Sequence, residues 1–199
     1  MIGIVDFCAG NLASVQNALE KIGAKFFVSD DEKKLAAAEK IIFPGVGHAR
    51  DAMRNLREKN LINFLKNCEK PLLGICLGAQ ILLDFSEESG EKTLEILAGK
   101  VRKFDKNCGE KIPHIGWNSV FLEKKNPLFE KISQNSDFYF VHSFFCDLKN
   151  SAEICGRTPF GKKKFCSFFH KKNFFGAQFH PEKSGKNGAQ FLQNFVNLK

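Results

Sequence analysis

The chain has 199 residues, of which 43% are hydrophobic and 26% charged, and its formal net charge is +8. That length suits one domain, residues 1–199, with room for a substantial core. Its lysines are scattered in pairs and triplets rather than gathered into a basic module interleaved with aromatics, so a solvated surface accounts for the charge and no nucleic-acid partner is expected.

The opening MIGIVDF has no basic region ahead of an apolar stretch, so no signal peptide is read. The longest apolar run, Pro71 to Leu83, contains Gln80 and is too short to span a bilayer, so no membrane association is expected. Seven cysteines at irregular spacing contain no C-x-x-C, which excludes a zinc ribbon and a thioredoxin motif. Free thiols in a reducing, cytoplasmic setting are the expectation.

Ile2 to Phe7 reads as a buried strand. Asn11 to Ile22 carries Leu12, Val15, Leu19 and Ile22 at helical spacing. Lys25 to Ser29 is a second strand, and Asp31 to Ala38 a short helix with acidic residues in its first turn. Lys40 to Phe43 is a third strand, ended by Pro44-Gly45. Helical patterns cover about His48 to Cys68. Leu72 to Ile75 is a fourth strand, followed by a helix over Gly78 to Phe85. This alternation predicts an α/β fold with a mostly parallel central sheet flanked by helices.

The second half changes character. Short β-like runs (Lys100–Phe104, Val120–Leu122, Phe138–Val141, Ala152–Cys155, Phe165–Phe169 and Phe174–Gln178) predict added, antiparallel strands. A last helix is expected over Gly188 to Leu198.

Parallel sheets place functional groups at the carboxyl ends of their strands. Two candidates fall there. Gly74-Ile75-Cys76-Leu77-Gly78 has the form of a nucleophile elbow with cysteine as the attacking group. A following helix N-terminus favours the thiolate. The competing reading is a buried structural thiol. Pro44-Gly45-Val46-Gly47 offers backbone amides at the same rim for an oxyanion, with the Leu77 amide as second donor. A dinucleotide loop is excluded because position 50, where a third glycine would be needed, is Arg50.

A thiol nucleophile needs a base. In Phe179-His180-Pro181-Glu182, His180 follows the last strand, and Glu182 lies two residues on. In an extended segment those side chains share a face, so Glu182 can hold the imidazole. A Cys76–His180–Glu182 relay for acyl transfer follows.

These motifs together resemble the class I, triad-type glutamine amidotransferases, whose fold is flavodoxin-like. More narrowly, they resemble the glutaminase subunits that serve a synthase of histidine biosynthesis. The likeness runs nearly end to end, through GIVDFCAGNLASV, PGVGHARDAM, GICLGAQ, KIPHIGWN, YFVHSF and QFHPEKS. It implies that Cys76 forms a glutamyl thioester and that His180 and Glu182 complete the triad. It assigns the oxyanion hole to Gly45, Val46, Gly47 and Leu77, after a peptide reorientation near Gly45-Val46. Gln80 and Glu88 would hold the amino-acid end of glutamine, with Ser143 beside it.

The resemblance also implies a (β/α)8-barrel cyclase subunit as partner in a heterodimer, contacted near Asn11, Trp117, Tyr139 and Lys183. It implies no metal and no cofactor. For Trp117, core packing is the competing reading. Ala79, His48 and Phe144 depart from residues common in the family, and none belongs to the triad. A paralogous glutaminase for surface sugars and a non-catalytic module on the same fold are the alternatives.

Overall fold

The structure is a computed structural model that describes residues 1–8 and 12–198. Its elements run in chain order as β1 (Ile2–Val5), α1 (Leu12–Lys21), β2 (Phe26–Ser29), α2 (Glu32–Ala36), β3 (Lys40–Gly45), α3 (Ala49–Glu58), α4 (Ile62–Lys66), β4 (Leu72–Cys76) and α5 (Leu77–Ile81). There follow β5 (Phe85–Ser86), β6 (Glu91–Lys92), β7 (Gly99–Lys103), β8 (His114–Leu122), β9 (Ser136–His142), β10 (Phe144–Leu148), β11 (Ile154–Phe160), β12 (Lys163–Lys171), β13 (Phe174–Ala177) and α6 (Gly185–Asn197).

The sheet has a parallel heart in the order β2-β1-β3-β4-β13, and it continues through antiparallel pairings to β12, β10 and β7. A branch leaves β12 through β11 to the β8–β9 pair. The expected parallel sheet and the antiparallel additions are therefore both present.

Alternation along the central strands explains the two covered faces. Ile41, Phe43 and Leu72 point into one apolar cluster with residues of α3 and α4. Ile42, Leu73 and Ile75 point into the other, with Val15 and Leu19 of α1 and Phe191, Leu192 and Phe195 of α6. Strands buried on both faces read as unbroken apolar runs, which is why β1, β3, β4 and β13 are so plain in the sequence. Many of the 22 phenylalanines fill the second cluster, where Phe129, Phe138, Phe168, Phe179 and Phe191 meet mainly edge to face.

Several boundaries differ from the sequence expectation, and β5, β6 and β10 were not expected at all. The helical stretch over His48 to Cys68 divides into α3 and α4. Asn60 takes a left-handed conformation at φ +56° between α3 and α4, which asparagine tolerates better than most residues. The helix after Cys76 ends at Ile81, and Phe85–Ser86 already pairs as a strand. β8 is nine residues long rather than three. Its apolar residues alternate between core and solvent, so no one-sided pattern marks it.

The placement of β13 matters most. The C-terminal strand returns to lie parallel to β4, with Ala177 opposite Ile75. The segment from Gln178 to Ser184 is thereby delivered beside the loop that follows Cys76.

Candidate active site

Cys76 is the last residue of β4 and precedes α5 directly, with φ +52° and ψ −108°. Non-glycine residues adopt this conformation only when their surroundings impose it. The turn is made at Cys76 itself and not at the two flanking glycines. They make room for it. A Cβ on Gly78 would stand 1.9 Å from the Phe43 carbonyl oxygen, and one on Gly74 would stand 2.8 Å from the Ala79 backbone. The close seat of α5 against β3 and β4 forces the chain to reverse within one residue, and that residue is the cysteine.

Gly45 pairs with Cys76 across β3 and β4. Beyond it, Val46 and Gly47 reach a cavity of about 480 Å³ that also borders Cys76, Leu77, Gln80, Glu88, Ser143 and His180. That size is usual for a small-molecule site. Gly45 itself is buried behind the rim, while Val46 is exposed and Gly47 has φ +95°.

His180 lies 2% exposed at the start of a 3-10 turn over Pro181–Lys183. Its Nδ1 stands 2.7 Å from Glu182 Oε1, and both side chains are almost fully buried. The pair meets as expected, but through this turn rather than through an extended segment. Burial works against a charged imidazole here. The Cys76 sulfur and the Glu182 carboxylate outweigh it and push His180 up to about 10. His180 Nε2 is buried without a hydrogen-bond partner, and the charge of the ring is favoured by the nearby Cys76 sulfur. A proton on Nδ1 directed at Glu182 leaves Nε2 to exchange protons with the thiol or with a leaving group.

Glu88 is placed by a contact that the sequence does not announce. Its Oε2 accepts a hydrogen bond of 2.9 Å from the Ala49 amide, so it caps the N-terminus of α3, where His48 provides no side-chain cap. Its Oε1 stands 3.4 Å from His48 Nδ1 on the cavity rim. A carboxylate at a helix N-terminus interacts favourably with the helix dipole. Gln80 Nε2 donates to the Phe144 carbonyl at 2.9 Å and to Gln178 Oε1 at 3.1 Å. With its N–H groups so engaged, Gln80 offers the cavity an acceptor. One carboxylate and one amide oxygen suit an ammonium group. Ser143 lies on the cavity wall between β9 and β10, and its carbonyl accepts from the Phe104 amide.

Two neutral histidines follow, His142 on the cavity wall and His114 behind it. His142 Nδ1 lies 2.8 Å from the Phe144 carbonyl, and His142 Nε2 lies 3.1 Å from His114 Nδ1. A carbonyl only accepts, so His142 carries its proton on Nδ1 and accepts at Nε2. His114 then donates from Nδ1, and its Nε2 accepts from Asn118 Nδ2 at 3.3 Å. Burial lowers His114 to about 4, and burial together with His114 lowers His142 to about 3. Neither is charged near neutrality.

The β8–β9 pair carries the residues expected at a partner. Trp117 is 57% exposed and faces Tyr139 across the strands, with ring centroids 6.2 Å apart, so core packing is excluded for it. Ile115 and Val141 pair on the same outer face, 61% and 36% exposed. The Tyr139 backbone is tied to the base segment: its carbonyl accepts from the His180 amide, and its amide donates to Ser184 Oγ. Lys183 is exposed one residue beyond Glu182. Asn11 lies outside the described residues. Among the described residues no group of three His, Cys, Asp or Glu side chains could hold a metal ion.

Sequence reasoning gave no role to Gln178, His142 or the Phe144 carbonyl. Gln178 had a visible signal, as the lone polar residue in the run Phe174 to Phe179. His142 had none apart from its neighbours.

Residues 3–198 match the family model for glutamine amidotransferase class-I. The chain is 48% identical to imidazole glycerol phosphate synthase subunit HisH of Methanocaldococcus jannaschii, over all of both chains. It is 43% identical to subunit HisH 1 of Campylobacter jejuni over all of both chains. To the Haemophilus influenzae subunit it is 43% identical, over 98% of this chain and 96% of that one. Among solved structures, one described as a glutamine amidotransferase superposes with a TM-score of 0.76 at 16% identity, covering 99% of this chain and 97% of the other. PurLQS from Thermotoga maritima superposes with a TM-score of 0.75 at 21% identity, over 98% and 97%. At those identities the structural matches speak for the fold.

Proposed function

The chain belongs to the class-I glutamine amidotransferase family, and from that premise we propose that it is the glutaminase subunit of an imidazole glycerol phosphate synthase. It hydrolyses glutamine to glutamate and ammonia, and the ammonia serves histidine biosynthesis. The observation that carries the chemistry is one cavity bordered by Cys76, His180, Gln80 and Glu88, with Glu182 behind the base.

Glutamine enters with its ammonium group towards Glu88 and the free oxygen of Gln80. Its carboxamide then lies over Cys76. The thiolate adds to the amide carbon, and the oxygen gains negative charge. The Leu77 amide and the Val46–Gly47 backbone are the donors within reach of that oxygen, the latter after a local reorientation of the peptide. His180 gives its Nε2 proton to the departing nitrogen, ammonia leaves and a thioester remains. Neutral His180 then takes a proton from water, which attacks the thioester. Glutamate leaves and the thiolate returns. Throughout, Glu182 keeps the imidazole oriented and stabilises its charged form.

The partner is a (β/α)8-barrel cyclase subunit in a heterodimer. What supports this is the synthase name carried by full-length relatives and the exposed apolar face of Ile115, Trp117 and Val141 on β8 and β9. Lys183 and Tyr139 border that face and the base segment, so docking there would bear on the triad. Among the described residues no helix is long and apolar enough to cross a membrane, and a cytoplasmic location fits the assignment. The names of the relatives favour the histidine pathway over the surface-sugar alternative.

The test is ammonia release from glutamine, measured with and without the cyclase subunit and its nucleotide substrate. Stimulation by both is expected. Replacing the nucleophile, Cys76→Ala, should abolish turnover by several orders of magnitude. Undiminished turnover in that variant would remove the triad assignment.

A further inference from the structure

Gln178 is 1% exposed in an otherwise apolar strand end, and a buried carboxamide is costly unless its groups are used. Two of its three side-chain partners, Gln80 and Cys76, border the cavity, and the third, Cys146, is buried on β10. Oε1 accepts from Gln80 Nε2 at 3.1 Å and from the Cys146 thiol at 4.0 Å, while Nε2 lies 3.7 Å from the Cys76 sulfur.

The orientation of this amide follows from a group that cannot be reversed. The Phe144 carbonyl only accepts, and Gln80 Nε2 stands 2.9 Å from it. The same nitrogen of Gln80 faces Gln178, so Gln178 must present its oxygen there. Its N–H is then left pointing at Cys76. A reversed amide would set two donors against each other and aim an oxygen at the thiolate. One backbone carbonyl thus fixes two carboxamides in series and ends in a donor on the nucleophile.

We propose that Gln178 is a positioning residue of the glutaminase, holding the Cys76 thiolate with its N–H while its oxygen fixes the Gln80 side chain that receives the substrate. This rests on Cys76 being the nucleophile. The arrangement gives the thiolate a donor besides His180 that never leaves with a proton. Before it attacks, the thiolate is therefore held from two sides, by His180 and by this amide. The same amide ties the geometry of the nucleophile to that of the substrate's ammonium subsite.

Alkylation by iodoacetamide tests this without glutamine or partner, with the modified cysteine read by peptide mass mapping. Cys76 of the unaltered chain should react faster than the six other thiols. Gln178→Met should slow Cys76 about tenfold at pH 7, the worth of one hydrogen bond to a charged group, and the difference should narrow as the buffer is made moderately alkaline. Gln80→Met, which does not touch Cys76, should also slow it at pH 7 by freeing the Gln178 amide to turn. It carries the test if Gln178→Met fails to fold. A Gln178→Met rate equal to that of the unaltered chain overturns the proposal; so does a Gln80→Met rate unchanged where Gln178→Met does not fold. If Cys76 of the unaltered chain is no more reactive than the other thiols, the nucleophile assignment itself fails and the proposal falls with it.

Discussion

The paired histidines at the cavity wall make acid the perturbation of choice. His114 and His142 are held at about 4 and about 3 on folding, and each returns to about 6.5 when the chain unfolds. Because both values are depressed, the unfolded chain binds more protons than the folded one below about pH 6.5. Their stabilisation is complete above that value and is lost as pH falls towards about 4 and 3. Between pH 7 and 5 each imidazole costs about 2 kcal/mol, together about 4 kcal/mol. His180 acts with the opposite sign. Its raised value of about 10 gives stability that is present below about 6.5 and lost as pH rises towards 10. From pH 7 to 5 it returns less than about 1 kcal/mol, so the net fall is about 3 kcal/mol.

Urea unfolding followed by far-ultraviolet circular dichroism at pH 7, 6 and 5 measures this directly. Tryptophan fluorescence would serve poorly, since Trp117 is exposed. His142→Asn keeps a donor for the Phe144 carbonyl and an acceptor for His114, and should remove about half of the pH dependence whatever its stability at pH 7. A loss below about 1 kcal/mol in the unaltered chain, or an unchanged slope in His142→Asn, would refute the tautomer chain and the burial argument together.

Glu182→Gln keeps an acceptor beside His180 Nδ1 but removes its charge. The imidazole should titrate well below about 10 by nuclear magnetic resonance, and kcat should fall by about 10²-fold or more. A kcat near that of the unaltered enzyme would deny Glu182 its role. Glu88→Gln weakens both the α3 cap and the ammonium site. It should cost about 1 kcal/mol of stability and raise KM for glutamine at least tenfold with little change in kcat. A fall confined to kcat would place Glu88 elsewhere in the reaction.

Much of this was legible from residues alone because the central strands are buried on both faces. Ile2 to Val5, Lys40 to Gly45 and Leu72 to Cys76 could hardly read as anything but parallel strands. Their carboxyl ends then had to share a rim. The break at Asn60 was hidden because Lys59-Asn60-Leu61 contains neither proline nor glycine, and the left-handed turn depends on how α4 packs. β8 was hidden because Ile115, Trp117 and Phe121 face outward, so its apolar residues mark no buried face. At the site, Cys76 and His180 were found as a pair. Their supporting contacts were not, because Gln178 to Gln80 and Ala49 to Glu88 join residues 98 and 39 positions apart. Spacing rules reach one or two turns, and these contacts exist only once β13 has settled against β4.

The backbone at Cys76 has a consequence for how this enzyme can change. A residue with a side chain held at φ +52°, ψ −108° stores on the order of 1–3 kcal/mol that glycine would release. Cys76→Gly should therefore melt at a higher temperature than the active chain while hydrolysing no glutamine. Mutation screens scored on heat resistance or expression alone would drift towards that dead variant. Any thermostable version of this subunit has to be selected on ammonia release, because at this one position robustness and activity pull in opposite directions.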